Sequence, residues 1–160
     1  MFRVMVISVM LASGAAAATG DDVLKPQSLR MATIGAAALA KGDASAAIDA
    51  YEAAIAADPK NVAAYTGIAR SYEVLGLPGK AVRFYREALA LNPSDLDALE
   101  GQGKVLIARG ATARAQVNLA RIKALCKTAC APATRLETAL TKANQLAEVQ
   151  PKAAAEKAAN

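Results

Sequence analysis

The sequence contains no histidine and no tryptophan, and it has only two phenylalanines and two cysteines. Without histidine the commonest general acid–base group is missing, and two thiols alone cannot complete a four-ligand zinc site. No serine, cysteine or lysine lies in a recognisable nucleophile motif, and there is neither a glycine-rich phosphate loop nor a C-x-x-C-H haem attachment sequence. We therefore expect no catalytic residues, no metal and no cofactor, in a protein that is not an enzyme.

The sequence also lacks a block or stripe of one charge. Its 19 basic residues are spread among 14 acidic ones, for a formal charge of +5. This interspersed pattern is typical of a solvated helical surface rather than of a nucleic-acid interface. Because alanine, the best helix former, is abundant and large aromatics are scarce, we expect an all-α protein whose helices pack across small side chains.

The first residues differ from the rest of the chain. Arg3 is the only charge before Asp21, and an apolar run from Val4 to Ala12 is followed by small residues. This pattern predicts a secretory signal peptide over 1–18, followed by a lead-in over 19–27. The short, alanine-rich signal is typical of bacteria, so we expect a periplasmic protein. The alternative is an uncleaved signal that anchors the chain in the membrane.

An internal repeat occupies the middle of the chain. Gly42, Gly76 and Gly110 are each 34 residues apart. Five further columns keep the same step: Ala47, Ala81 and Ala115; Tyr51 and Tyr85; Ala54 and Ala88; Pro59 and Pro93; and the small residues Gly35, Ala69 and Gly103. A period of 20–50 residues is the signature of stacked structural units.

Each unit reads as two helices, because apolar residues recur at i, i+3 and i+4 on both sides of the glycine. In the second unit, Gly76 ends the first helix, Pro78 suits the first turn of the next, and Asn92 precedes the proline that stops it. Three polar residues stand where a capping side chain is needed, namely Asp43, Asn61 and Asp95.

These columns resemble the tetratricopeptide repeat. The second unit matches the family pattern with Tyr65, Ala69, Tyr72, Ala81, Tyr85, Ala88 and Pro93, the first matches less fully, and the third drifts and lacks the proline. The resemblance implies a right-handed superhelix of about three helix-turn-helix units over 28–131, divided as 28–61, 62–95 and 96–131. The aromatic side chains would fill the wedge between consecutive helix pairs.

A stack of this kind ends in a helix with one polar face. Residues 132–149 predict such a capping helix, with Leu136, Leu140, Ala143 and Ala147 on its apolar side. Residues 150–160 have low complexity and no large apolar group. We therefore expect a disordered tail there, because little surface is available to offset the entropy of ordering.

The two cysteines, Cys126 and Cys130, fall between the third unit and the capping helix. In an exported chain, paired cysteines usually form a disulfide, so we expect a structural staple at this turn. The alternative is a thiol-redox centre. The spacing is C-x3-C rather than C-x-x-C, and no strand–helix context surrounds it.

The resemblance also implies a concave groove, lined by the first helix of each unit, that takes segments of partner proteins. The inward columns are apolar at first, with Leu29, Ala32, Ala36 and Leu39, and then more polar, with Ala63, Asp97 and the candidate partner-binding residues Thr66, Arg70, Glu73, Glu100, Lys104 and Ile107. Arg70 and Lys104 share a column and suit a carboxylate. The asparagines of chaperone-tail-binding members are absent from these columns, so that ligand is not inferred.

Two interpretations of the charged columns stay open. Either Arg70 and Lys104 bind a partner, or they pair with Glu73 and Glu100 on a solvated surface. The function that we expect is a periplasmic adaptor or assembly factor that binds a protein or peptide, and no nucleic acid. The alternative is a structural or self-associating envelope subunit, and a weaker one is thiol–disulfide chemistry at Cys126 and Cys130.

Overall fold

The structure, a computed structural model, describes residues 23–158 and forms seven α-helices, with no strand in this part of the chain. The predicted signal peptide and the beginning of the lead-in lie outside the described residues. The helices are α1 (Pro26–Ala40), α2 (Ala44–Ala57), α3 (Val62–Val74), α4 (Pro78–Leu91), α5 (Leu96–Ala108), α6 (Thr112–Leu125) and α7 (Ala131–Ala158). No helix in the described range is long and apolar enough to cross a membrane.

Three helices begin at the predicted capping residues. The carboxylates of Asp43 and Asp95 accept hydrogen bonds from the backbone N–H groups three residues on, at 3.0 and 2.7 Å, and the side chain of Asn61 does the same at 3.2 Å. These contacts satisfy N–H groups that have no partner inside a helix. The capping prediction is therefore confirmed for α2, α3 and α5.

The turns inside the three units are built alike. Gly42, Gly76 and Gly110 have φ angles of +82°, +67° and +73°, a region that residues with a Cβ atom rarely adopt. Each glycine thus lets the second helix fold back on the first within a few residues. Pro78 lies in the first turn of α4, where its missing N–H has no helical partner to lose.

The helices stack as pairs: α1 with α2, α3 with α4, and α5 with α6. The first helices of successive pairs also touch one another, whereas α2, α4 and α6 do not. The first helices therefore line the inner, concave side of a helical-repeat superhelix, and the second helices form its outer side. α7 packs against α5 and α6, in the place where the next first helix would lie.

Consecutive units contact each other where the ring of a tyrosine packs against a glycine of the next unit. A Cβ atom added to Gly67 would lie 2.2 Å from the ring of Tyr51, and one added to Gly101 would lie 2.2 Å from the hydroxyl of Tyr85. Both tyrosines are buried, with 6% and 0% of their surface exposed. They fill the wedge between one helix pair and the next, as the sequence predicted.

The last helix departs from expectation in its length. Leu136 and Leu140 are buried against the stack, but Leu146 is 55% exposed and Ala147 is exposed too. The helix nevertheless continues to Ala158. The predicted end at 149 and the predicted disordered tail over 150–160 are therefore wrong as far as Ala158. Alanine, glutamate and lysine have high helix propensity and extend a helix that packing has already nucleated.

Candidate functional site

The concave groove has two chemically different parts. On α1, Leu29 is 48% exposed and Ala36 is exposed, while Ala32 and Leu39 are partly buried. This end of the groove is apolar. Most of the charged side chains in the groove lie on the inner surfaces of α3, α5 and α7, as the sequence predicted for α3 and α5. A ligand lying along the groove would therefore meet an apolar end and a charged end.

At the charged end lies a cavity of about 320 Å³, which we call the charged pocket. It is lined by Arg70, Glu73, Tyr85, Asp97, Glu100, Gly101, Lys104 and Arg135. Four of the six predicted groove residues are thus brought together, two of them from α3 and two from α5. Each lies on the inner face of its helix because the repeat places the same column of α3, α5 and α7 side by side.

Glu100 is the buried centre of this pocket. Its side chain is 6% exposed and accepts hydrogen bonds from Arg135 of α7, at 2.7 and 2.5 Å, and from Lys104 at 2.5 Å. Burial alone would raise the pKa of Glu100, but the hydrogen bonds from Arg135 and Lys104 hold this pKa below its usual value. Glu100 therefore stays ionised and joins α7 to α5.

The pocket is lined by equal numbers of basic and acidic residues, but its solvent-accessible face is more positive than these equal numbers suggest. The side chains of Arg70, Lys104 and Arg135 are 48%, 43% and 51% exposed, whereas that of Glu100 is covered. A ligand entering the pocket would meet three half-exposed cations. The exposed carboxylate of Asp97, at 61%, is the main competitor for them.

Of the two open interpretations of the charged columns, the structure bears out the ion-pair interpretation in part, and partner binding by Arg70 and Lys104 stays a prediction. Lys104 does pair with Glu100, whereas Arg70 pairs with Asp97 on the neighbouring helix, at 3.2 Å, rather than with Glu73. Glu73 instead accepts a hydrogen bond from the hydroxyl of Tyr85. Burial raises the pKa of both partners, so the phenol remains a donor at neutral pH.

The other two predicted residues lie outside the charged pocket. Ile107 is partly buried and packs on the core. Thr66 is buried, with 4% of its surface exposed, and its Oγ1 atom has no hydrogen-bond partner among the described residues. Thr66, Glu100 and Arg135 are successive members of one groove column. The unpartnered hydroxyl thus lies between the apolar and charged parts of the groove.

Arg135 is the functional candidate that sequence reasoning missed. The connection between α6 and α7, residues 126–130, is one residue longer than the connection between α4 and α5, residues 92–95. The 34-residue step consequently fails at α7, and Arg135 follows Glu100 by 35 residues. A search at both steps would have found an arginine opposite a glutamate.

The cysteine pair lies in this longer connection. The sulfur atoms of Cys126 and Cys130 are bonded, with their Cα atoms 6.2 Å apart, within the range usual for disulfides. Both residues pack against the main core cluster. A salt bridge of 2.8 Å between Lys123 and Glu137 also joins α6 to α7 beside the disulfide. The bond therefore lies where α7 turns back onto the stack.

Family comparison agrees with this geometry. A sequence model of the tetratricopeptide repeat matches residues 33–95 and 69–121, which together make up more than half of the chain. The chain is a tetratricopeptide repeat protein. The tetratricopeptide fold is a scaffold for protein–protein interaction rather than catalytic machinery. Comparison with curated proteins gives no match.

Solved tetratricopeptide structures show the same fold at low sequence identity. The first such domain of Spaghetti (RPAP3), bound to the HSP90 peptide SRMEEVD, is 24% identical, with 77% of this chain and 99% of that one covered and a TM-score of 0.69. The TPR2B domain of yeast Sti1, in complex with pHsp70, is 19% identical, with 76% and 99% covered and a TM-score of 0.70. The Sgt2 domain of Aspergillus fumigatus is 22% identical, with 80% and 83% covered and a TM-score of 0.69.

Proposed function

We propose that this tetratricopeptide repeat protein is a periplasmic adaptor or assembly factor that binds a segment of a partner protein in its concave groove. The observation that carries the proposal is the charged pocket, which three half-exposed cations line and in which two of them cover a glutamate. A carboxylate of the partner would replace Asp97 on Arg70 and share Lys104 and Arg135. An apolar side chain of the same segment would lie against Leu29 and Ala36.

The similar domains support a peptide ligand. The Spaghetti domain binds a peptide, SRMEEVD, that carries three acidic side chains. The periplasmic part of the proposal is supported by the signal-like pattern of residues 1–18 and by the paired cysteines, which are usual in oxidising compartments. Expression of the whole chain in a bacterium, followed by fractionation and mass determination, tests this part. We expect periplasmic protein that begins near Thr19; full-length protein in the membrane would support the anchored alternative.

Site-specific crosslinking tests the groove. A photoreactive residue is placed at Ala36 or Ala63, which are exposed in the groove, and at Ala53 on the outer helix α2 as the control. We expect the groove positions to crosslink one envelope protein that the Ala53 position does not. Equal crosslinking from all three positions would contradict binding in the groove.

Charge removal tests the pocket within the groove. The double variant Arg70→Gln/Lys104→Gln keeps side chains of similar polarity and avoids placing a second carboxylate beside Glu100. We expect it to lose the crosslinked partner. Arg30→Gln/Lys41→Gln removes the same charge from exposed residues of the first unit that do not line the pocket, and it should retain the partner.

A structural, self-associating role is the second candidate. It is favoured by the exposed stretch of α7 at residues 146–148, where Leu146 is 55% exposed. Sedimentation over a range of concentrations separates the two roles. A mass that rises with concentration, and falls back when Leu146 is replaced by Gln, would favour self-association over the adaptor role.

A further inference from the structure

A second cavity lies on the outer face of the stack. It occupies about 250 Å³ between α4 and α6, above α5, and we call it the convex cleft. Val82, Leu106 and Val117 form its apolar walls, and Val117 is 59% exposed. The cleft shares no lining residue with the charged pocket. Its size suits the side chains of a peptide better than a large ligand.

The floor of the convex cleft is a buried pair of amides. Gln102 and Asn118 are 8% and 4% exposed. The Nδ2 atom of Asn118 donates to the carbonyl of Leu99 at 3.1 Å and to Oε1 of Gln102 at 2.9 Å. Within the described residues, this leaves Oδ1 of Asn118 and Nε2 of Gln102 without a protein partner. One acceptor and one donor side by side match the two polar groups of a peptide bond.

The preceding unit shows that the fold does not require these amides. Thirty-four residues earlier, the same positions hold Ile68, which is fully buried, and Phe84, which stacks on Tyr72 with ring centroids 5.5 Å apart. In the third unit, Leu106 replaces that tyrosine and Asn118 replaces the phenylalanine. The replacement leaves the cleft open and buries polar groups at a cost in desolvation. The cleft is thus a property of this unit's residues rather than of the repeat.

Two arginines flank the apolar walls. Arg86 of α4 and Arg114 of α6 both line the cleft, and neither forms an ion pair among the described residues. By contrast, Arg70, Lys104 and Arg135, the cations that line the charged pocket, each already pair with a carboxylate. Unpaired guanidinium groups beside an apolar cleft select a carboxylate that lies next to an apolar side chain.

We propose that the convex cleft is a second docking site, which binds a peptide segment of a partner protein carrying an acidic side chain beside an apolar one. The apolar side chain enters between Val82 and Val117. The peptide group pairs with the free amide atoms of Gln102 and Asn118, and the carboxylate binds Arg86 or Arg114. This site does not depend on the groove, so a partner can be held from both faces of the stack.

The test is an NMR titration. The isotope-labelled chain is titrated with the blocked peptide acetyl-Gly-Leu-Glu-Leu-Gly-amide at concentrations into the millimolar range. The blocked ends remove terminal charges. We expect shifts of the side-chain NH2 signals of Gln102 and Asn118 and of the backbone amide of Val117. The same peptide with Gln in place of Glu should bind about tenfold more weakly, because it lacks the carboxylate.

Three variants locate the site. Gln102→Ile/Asn118→Phe installs the residues that the second unit has at these positions. This variant should fold, should have a melting temperature no lower than that of the original chain, and should no longer bind the peptide. Arg86→Gln/Arg114→Gln should lower the affinity for the Glu peptide to that for the Gln peptide. Arg70→Gln/Lys104→Gln, in the charged pocket, should leave the shifts at Asn118 unchanged.

Two results would overturn the proposal. One is the absence of any shift at Gln102, Asn118 and Val117 at millimolar peptide. The other is binding that the arginine pair does not affect but that the charged-pocket variant abolishes, since the peptide would then occupy the groove alone. If the Ile/Phe variant fails to fold, the arginine variant decides between these outcomes by itself.

Discussion

At the scale of single residues, the stack depends on glycines that accept tyrosine rings. The ring of Tyr51 lies between Gly35 and Gly67, where added Cβ atoms would come within 2.9 and 2.2 Å of it. The ring is thus confined from both sides and has little room to move. Gly35 belongs to a signature column of the repeat, whereas Gly67 does not. Gly67 is important because it makes a contact between two units, with the ring of Tyr51.

We expect Gly67→Ala to lower the free energy of unfolding by about 1–3 kcal/mol, because the new methyl group overpacks a closed contact. Gly79→Ala is the matched control: a Cβ atom there meets nothing within 4 Å, so the variant should be as stable as the original or slightly more so. Urea unfolding followed by circular dichroism measures both. Equal stability of the two variants would show that the tyrosine relaxes away from the contact.

At the scale of helices and their connections, Asp58 holds the junction between the first two units. Its carboxylate accepts hydrogen bonds from the backbone N–H groups of Lys25 and Lys60, both at 3.0 Å. These bonds lower the pKa of Asp58 below its usual value of 3.8. Two buried hydrogen bonds complete the junction: the hydroxyl of Ser28 donates to the carbonyl of Ala54, and Nδ2 of Asn61 donates to the hydroxyl of Ser28.

Because the pKa of Asp58 is lower in the folded state, its contribution to stability is present above the unfolded pKa and is lost as the pH falls through the folded one. We therefore expect Asp58→Asn to be less stable than the original chain at pH 7, with a difference that shrinks between about pH 5 and about pH 2. Thermal unfolding across this range tests the prediction. Glu100 titrates in both proteins, so only the difference between them is informative. A difference that stays constant with pH would mean that ionisation of Asp58 is unimportant.

The connection between α6 and α7 leads to a second prediction at this scale. The disulfide closes a loop of four residues in sequence separation, so chain entropy limits its contribution to about 2 kcal/mol. We expect Cys126→Ala/Cys130→Ala to lower stability by no more than this, while α7 stays docked through Leu136 and the Lys123–Glu137 ion pair. Addition of a reducing agent to the original chain should reproduce the effect. Loss of the cooperative transition would indicate that the bond is needed for docking.

At the scale of the whole molecule, α7 closes the stack with residues of its first half. Leu136 and Leu140 are buried, and a Cβ atom added to Gly103 would meet Leu136 at 2.7 Å. From Leu146 to Glu148 the helix is exposed. The same helix thus has a part that packs on the stack and an exposed stretch at residues 146–148, and the packed part should matter most for folding.

Two truncations separate these parts. A chain that ends at 148 should unfold like the full chain. A chain that ends at 127 should lose about 3–6 kcal/mol, since it no longer buries Leu136 and Leu140, and it also leaves Glu100 without Arg135. Thermal unfolding and size-exclusion chromatography measure stability and aggregation. Equal stability of the two truncated chains would contradict a capping role for α7.

Much of this architecture was predictable from local signals. The 34-residue columns, the turn glycines and the caps at Asp43, Asn61 and Asp95 predict helix pairs, because each acts through its own turn of backbone. Arg70, Glu73, Glu100 and Lys104 were predictable as groove residues, because the period places them on one face of adjacent helices. The extension of α7 was not predicted, since low complexity was given more weight than helix propensity.

The sequence by itself determined the repeat, the two-helix unit and the chemical character of the groove, because period and propensity are local properties of the chain. Only the tertiary structure decided which charges meet. Arg135 reaches Glu100 through a connection that is one residue longer, and Arg70 bonds to Asp97 rather than to Glu73. The convex cleft likewise exists only where α4, α5 and α6 come together. Such contacts depend on how helices that are distant in sequence pack against one another in three dimensions.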